Sequence, residues 1–195
     1  MEIFVAIINR FLAFGMLLMQ AFLLLAILSG FFARPKIGVL NKNSLGYRKI
    51  FFDFFGKNAV LIAWMSSIFI SLMTLFYSNI VGYLPCYLCW WQRIFLFPQV
   101  FILGIAYFRK DIKAFDYSIV LLFVGSLFSF YNNFIYYFRG SSGPCDASGV
   151  SCGVRYVYEL GGYVSIPMMA LTSFVFLICV LLIGKKYAEG KAKTP

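Results

Sequence analysis

Histidine is absent from this 195-residue chain, and charge is scarce: 12% of the residues are Asp, Glu, Lys or Arg, and only seven are acidic. A soluble domain carries about a quarter charged residues and 45–50% apolar ones. Here 62% are hydrophobic and 21% aromatic, which excludes an ordinary cytosolic globule. The mean hydropathy of +0.86 makes lipid the natural solvent. Seventeen Lys and Arg leave a net charge of +10. In a soluble protein that excess would suggest nucleic acid, but in a membrane chain it is first a sidedness signal. No nucleic-acid partner is expected.

A helical crossing of the bilayer takes roughly 20 apolar residues, so this length accommodates four or five spans with short loops and no separate soluble domain. Five runs qualify: Phe11 to Ala33, Ala59 to Tyr77, about Leu88 to Phe108, Ser118 to Phe138 and about Val164 to Gly184. They lack the alternation of barrel strands, and backbone polar groups in hydrocarbon are otherwise satisfied only within a helix. The sequence therefore predicts an all-α membrane protein with five helices.

The connections divide by charge. Thirteen of the seventeen basic residues fall in three alternate segments: 34–58, 109–117 and the tail from Lys185. Residues 1–10, 78–87 and 139–163 carry few charges. Basic loops remain cytoplasmic, so the N-terminus and the 78–87 and 139–163 segments are expected outside, with the C-terminus in the cytoplasm. The first run exceeds the 7–15 apolar residues of a signal peptide. Its removal near Ala33 would invert every later loop against its charge, so it reads as a retained helix. The stretch from Lys49 to Lys57, aromatic and basic, reads as an interfacial approach to the second helix.

This topology puts four of the five cysteines outside, where disulfides persist. Cys86 and Cys89 stand where the third helix begins, and Cys145 and Cys152 stand in the 139–163 loop; Cys179 lies among Phe, Leu, Ile and Val in the fifth helix and reads as a packing residue. A Cys-x-x-Cys at a helix start has a use: the second sulfur would sit near unpaired backbone N–H groups and the positive end of the helix, which favour thiolate. Pro85 suits a helix entrance. A redox pair and a structural disulfide both remain open. Closing the small Gly- and Ser-rich loop between Cys145 and Cys152 would contribute about 2–3 kcal/mol as a staple, yet such an exposed disulfide is also open to attack by another protein's thiolate.

A four-cysteine zinc site is the weaker alternative, because six residues separate Cys145 from Cys152, structural zinc favours two to four, and no His can complete a ligand set. Arg93 follows Cys89 by four positions, on the same helix face one turn deeper. It is either a snorkelling boundary residue or a cation that hydrogen-bonds and stabilises the developing charge on a lipid-soluble electron acceptor. A small transporter or channel with merely structural disulfides is the alternative function. Gln20, Asn132 and Asn133 would have to line its path, yet no acidic residue falls within a predicted helix.

The run Pro85-Cys-Tyr-Leu-Cys-Trp-Trp-Gln-Arg93 resembles the Cys-x-Leu-Cys-x-x-x-Arg signature of the bacterial disulfide bond formation protein B (DsbB) family. The later outward Cys pair, Glu159 and the run Val164-Ser-Ile-Pro167 look like its short-looped BdbC branch. The resemblance covers about residues 59–184. It implies a four-helix redox domain there, preceded by an additional helix and basic connection in 1–58 and followed by a basic cytoplasmic tail in 185–195. It also implies a multi-pass protein of the bacterial cytoplasmic (inner) membrane that carries electrons from a soluble thioredoxin-like (DsbA/BdbD-type) oxidase to membrane quinone, ubiquinone or menaquinone. By resemblance, Cys145 receives the partner's attack, Cys152 exchanges with Cys86, and Cys89 is left as the thiolate beside the quinone, with Arg93 on a quinone oxygen. The lack of His removes a second quinone contact found in some members. In the related vitamin K epoxide reductase-like proteins the loop cysteines precede the quinone-proximal pair; here the order is the reverse.

Overall fold

Each of the five apolar runs forms one long helix, as hydrocarbon requires of a backbone that must satisfy its own hydrogen bonds. In the computed structural model, which describes residues 2–31, 50, 52–139, 152, 153, 155–157 and 159–192, these are α1 (Glu2–Phe31), α2 (Ala59–Leu75), α3 (Tyr87–Arg109), α4 (Ala114–Phe134) and α5 (Ile166–Ala192). All five are long and apolar enough to cross a membrane. The expected basic connection between α1 and α2 lies outside the described residues up to position 49, and residues 52–57 are helical. Cys145 also lies outside the described residues.

The boundaries of four helices differ from expectation. α1 begins at Glu2 rather than Phe11, because Ile3 to Ile8 are themselves apolar and only Asn9 and Arg10 interrupt the run. Its 30 residues span about 45 Å, longer than a hydrocarbon core of about 30 Å. α5 continues past Gly184 through Lys, Ala and Glu, all good helix formers. α2 and α4 both finish in π turns, Phe76–Ile80 and Ile135–Arg139, at the end that carries the cysteines.

Helices α2, α3, α4 and α5 close into a ring, with each packed on the next and α5 returning against α2, while α1 lies outside the ring against α5. Leu103, Leu122, Phe174, Leu177 and Leu181 fill its centre. Small residues let the helices approach where lipid supplies no hydrophobic drive. A Cβ on Gly104 would lie 2.9 Å from Trp64, and one on Gly125 would lie 2.5 Å from Phe174. Large apolar side chains such as Leu25, Phe101 and Phe130 are exposed on the outer surface, which suits lipid contact and would be a liability in water.

Above the ring, the chain returns to α5 through a tight turn. Glu159 pairs with Val164, and the backbone between them is left-handed at Leu160, Gly161 and Gly162, with φ of 51°, 69° and 91°. Glycine suits two of those positions because it carries no Cβ. The Tyr137 hydroxyl, from the π turn after α4, donates to the Tyr163 carbonyl at 2.9 Å. Asn133 Nδ2 donates to the Pro167 and Ser129 carbonyls, each at 2.8 Å. Ser165 Oγ accepts the Met168 N–H at 3.3 Å and caps α5.

Gly125 gives the packing a direct test. Gly125→Val would drive a branched side chain into the fully buried Phe174 ring, with an expected cost of about 1–3 kcal/mol, or roughly 2–12 °C in thermal midpoint. Gly190→Ala, where a Cβ meets nothing within 4 Å, is expected to unfold at or above the parent temperature.

Candidate functional site

The start of α3 is built around sulfur. Pro85 precedes the helix and Cys86 is its N-cap, with extended backbone (φ −70°, ψ 167°) and a side chain that accepts the Cys89 N–H at 3.4 Å. The first sulfur therefore receives a free N–H of the first turn. The reason is geometric: the cap side chain folds over the opening turn, whereas the Cys89 side chain projects from the turn itself. The two sulfurs are 2.7 Å apart, less than about 1 Å beyond a disulfide bond. The hydrogen bond with Cys89 and burial hold the Cys86 thiol well above the ordinary thiol range, against a weaker pull from the Cys89 backbone N–H. A reduced Cys86 is therefore protonated at neutral pH.

Cys86, Cys89 and Cys179 are free thiols, and Cys152 is disulfide-bonded. Cys152 is 5% exposed and packs with Cys86, Leu88 and Ile135, with Cys89 and Phe128 against the same cluster. The loop cysteine nearer α5 is thus beside the first helix cysteine, although 66 positions separate them. Tyrosines carry it there: Tyr83 stacks on Tyr77 at 5.6 Å and on Tyr156 at 4.4 Å, joining the end of α2, the approach to α3 and the loop. Cys179 lies in α5, half-buried.

Arg93 lies one turn below Cys89. Its Nη2 donates to the Thr74 carbonyl at 3.0 Å, and its guanidinium lies 5.3 Å from the centre of the Trp90 ring, a cation–π distance. Thr74 stands just before α2 gives way to its π turn, and its carbonyl also takes the Ser78 hydroxyl at 3.1 Å. Such a change of helical pitch disturbs the regular ladder, and here side-chain donors occupy the carbonyl beside it. Among the described residues Arg93 forms no ion pair. It is anchored across the helix interface, which is more than a snorkelling residue needs.

Cys86, Cys89, Arg93 and Cys152 all line one partly open cavity of about 190 Å³ between α1, α2, α3 and α5. Two further polar groups stand in its wall: Gln92, which the sequence reading did not single out, and Asn132, which it named only for a transport path. Gln92, 7% exposed, has its Nε2 without a partner among the described residues. Asn132, 1% exposed, directs Nδ2 towards Cys89 Sγ at 4.0 Å and leaves its Oδ1 unpaired among the described residues. Gln92 could have been suspected from its position beside Arg93, but nothing in the local sequence links Asn132 to residue 89. Deeper along the same helices the wall is apolar, with Phe69, Ile70 and Leu96. The cavity therefore has a polar, sulfur-bearing end and an apolar body, which suits a ligand with an oxygen-bearing head and a hydrocarbon tail. Unpaired buried donors favour an acceptor oxygen. A quinone carbonyl fits that description, with Arg93 and Gln92 as the residues able to hold it.

Of the polar residues that a transport path would use, Gln20 and Asn133 are occupied between helices. Gln20 Nε2 donates to Thr172 Oγ1 at 3.2 Å, and Asn133 bonds the Pro167 carbonyl across the α4–α5 interface.

The chain is similar to known proteins over most of its length. The family model described as disulfide bond formation protein DsbB matches residues 56–184. A probable disulfide formation protein of Oceanobacillus iheyensis is 35% identical over 139 residues, covering 70% of this chain and 94% of the relative. Disulfide bond formation protein C of Bacillus subtilis is 34% identical over 134 residues, 66% of this chain and 96% of the relative. A probable disulfide formation protein of Metapseudomonas resinovorans is 34% identical over 131 residues, 66% and 90%. No solved structure matches the chain significantly. With five helices fit to cross a membrane, paired cysteines at the head of α3 and a family match across two thirds of its length, the chain is a multi-pass membrane protein that belongs to the DsbB family of disulfide bond formation proteins.

Proposed function

We propose that the chain is a quinone-dependent thiol oxidase of the bacterial cytoplasmic membrane, which reoxidises an extracytoplasmic thioredoxin-like protein of the DsbA/BdbD type. The observation that carries this reading is the meeting of Cys86, Cys89, Cys152 and Arg93 on one cavity with a polar end and an apolar body. The basic segments 34–58, 109–117 and 185–195 support a topology in which those cysteines face outward. Residues 59–184 form the redox domain on this reading, with 1–58 and 185–195 as an added helix with its connection and a cytoplasmic tail.

The reaction balances as two successive dithiol exchanges. A thiolate of the partner attacks Cys145, breaking the Cys145–Cys152 bond and releasing Cys152 as thiolate; the partner's second thiol then displaces Cys145 and closes the partner's own disulfide. Cys152 attacks Cys86 of an oxidised Cys86–Cys89 pair, and the electron pair of the broken bond leaves on Cys89. Cys145 next attacks Cys152, restoring the outer disulfide and freeing Cys86. The packing of Cys152 into one buried cluster with Cys86 supports this exchange. A quinone held there would supply the acceptor for the two electrons and two protons that the Cys86–Cys89 dithiol gives up as it returns to disulfide. Arg93 and Gln92 would hold the quinone oxygens, Arg93 would stabilise charge there in a site with little water, and Asn132 would orient Cys89.

Purified protein with a reduced thioredoxin-like partner is expected to consume a soluble quinone analogue, and Cys89→Ser to lose at least 100-fold in rate. Quinone reduction by Cys89→Ser at the parent rate would refute the reading. In the same variant Cys86 is expected to exchange into the Cys145–Cys152 bond, releasing the Cys145 thiol and accumulating a Cys86–Cys152 disulfide, visible by mapping of non-reduced peptides. Tyr156→Ala is expected to lower that yield about two- to tenfold, the equivalent of one aromatic stack, whereas Tyr156→Phe retains it.

A further inference from the structure

The quinone reading leaves α1 without a role, since the family match starts at residue 56. Yet α1 is fixed to the redox domain at two polar points. Asn9 Oδ1 accepts the Tyr77 hydroxyl at 2.5 Å. Three turns further on, Gln20 Nε2 donates to Thr172 and its Oε1 accepts the Tyr163 hydroxyl at 3.0 Å. Eleven residues return a helix to nearly the same face, about 16 Å along its axis. Ala13 and Met16 then bury against Val164, Met168 and Met169 beside α5. Towards α2, by contrast, α1 extends the Asn9 hydrogen bond and an edge-on contact of Phe4 with Phe76. The gap left between these two helices is the cavity.

Between the two polar points, Leu12, Gly15, Met16 and Met19 face that cavity. Gly15 is the unusual member. Glycine inside a helix is unfavourable relative to alanine, and Gly104 and Gly125 answer that cost by receiving an aromatic side chain where a Cβ would stand. A Cβ at Gly15 would meet nothing within 4 Å, so no protein group uses the space that the missing side chain leaves. Water would find no partners along a wall of Leu, Gly and Met. An apolar chain would, and methionine adapts to such a chain better than branched residues do.

We infer that α1 is the outer wall of the acceptor pocket and that Gly15 keeps open the path of the acceptor's prenyl tail, so that the added helix sets which lipid-soluble acceptors fit. This rests on the quinone reading and adds a determinant outside the family match. The head would lie at Arg93 and Gln92 and the tail between α1 and α2, along Gly15 and Met19.

The test compares a quinone bearing an isoprenoid tail of several units with the same head group lacking a tail. Binding to the full-length protein in lipid nanodiscs is read by quenching of Trp90 and Trp91 fluorescence, and turnover is read separately with the reduced partner. Gly15→Phe is expected to weaken binding of the tailed quinone at least tenfold and raise its KM similarly, while the tail-free quinone changes less than twofold. Gly15→Ala is expected to remain within twofold for both. Leu12→Trp narrows the same path from the preceding turn and serves if Gly15→Phe does not fold. Equal effects on both quinones, or no effect on either, would overturn the role of α1 while leaving the oxidase reading intact. A parent protein that binds neither quinone would overturn both.

Discussion

A guanidinium held within a lipid-facing bundle is the constraint around which the rest of the site is arranged. Arg93 has no carboxylate partner among the described residues, so its charge must be met by dipoles and rings. The Thr74 carbonyl meets part of it, beside the point where α2 changes pitch, and the face of Trp90 meets another part. One backbone oxygen cannot saturate five N–H donors, so the cation retains hydrogen-bonding capacity one turn below the Cys89 sulfur. The irregular end of α2, the aromatic residue at position 90 and the proximity of Cys89 are thus parts of one solution to an electrostatic problem.

The features readable from sequence are those set by local composition. Apolar length determines the five helices, and the identity of the spans survives even where their ends move. The Cys-x-x-Cys with Arg93 four residues on is legible because a helix brings positions four apart to one face, and the cavity contains all three residues as that geometry requires. What could not be read depends on neighbours distant in the chain. Cys86 is a cap, and which of two sulfurs takes the free N–H depends on the path of the backbone into the helix. Asn132 reaches Cys89 from another helix, and Tyr156 brings Cys152 to Cys86 by stacking on residues of two other segments. α1 starts before the apolar run from Phe11 because Ile3 to Ile8 are apolar as well, and Asn9, which stands between the two runs, has a hydrogen-bond partner in the π turn after α2 that makes a polar residue tolerable there.

The added helix illustrates how a membrane protein can gain an element without disturbing an existing core. The four-helix ring buries its own centre, and its small residues are committed to contacts within it. α1 meets the outside of that ring through hydrogen bonds to side chains at positions 77, 163 and 172. In lipid, where burial of apolar surface between helices yields little, a few such polar contacts and close packing are what fix an orientation.

The paired π turns, at the ends of α2 and α4, have a consequence for motion. A π turn interrupts the regular i→i+4 ladder and occurs mostly as a single irregular turn, frequently at functional sites, so protection against amide exchange should fall away first at this end of the molecule. On the proposed function, the exchange between the loop and the head of α3 would take place beside the two irregular helix ends, where the backbone departs from the regular ladder.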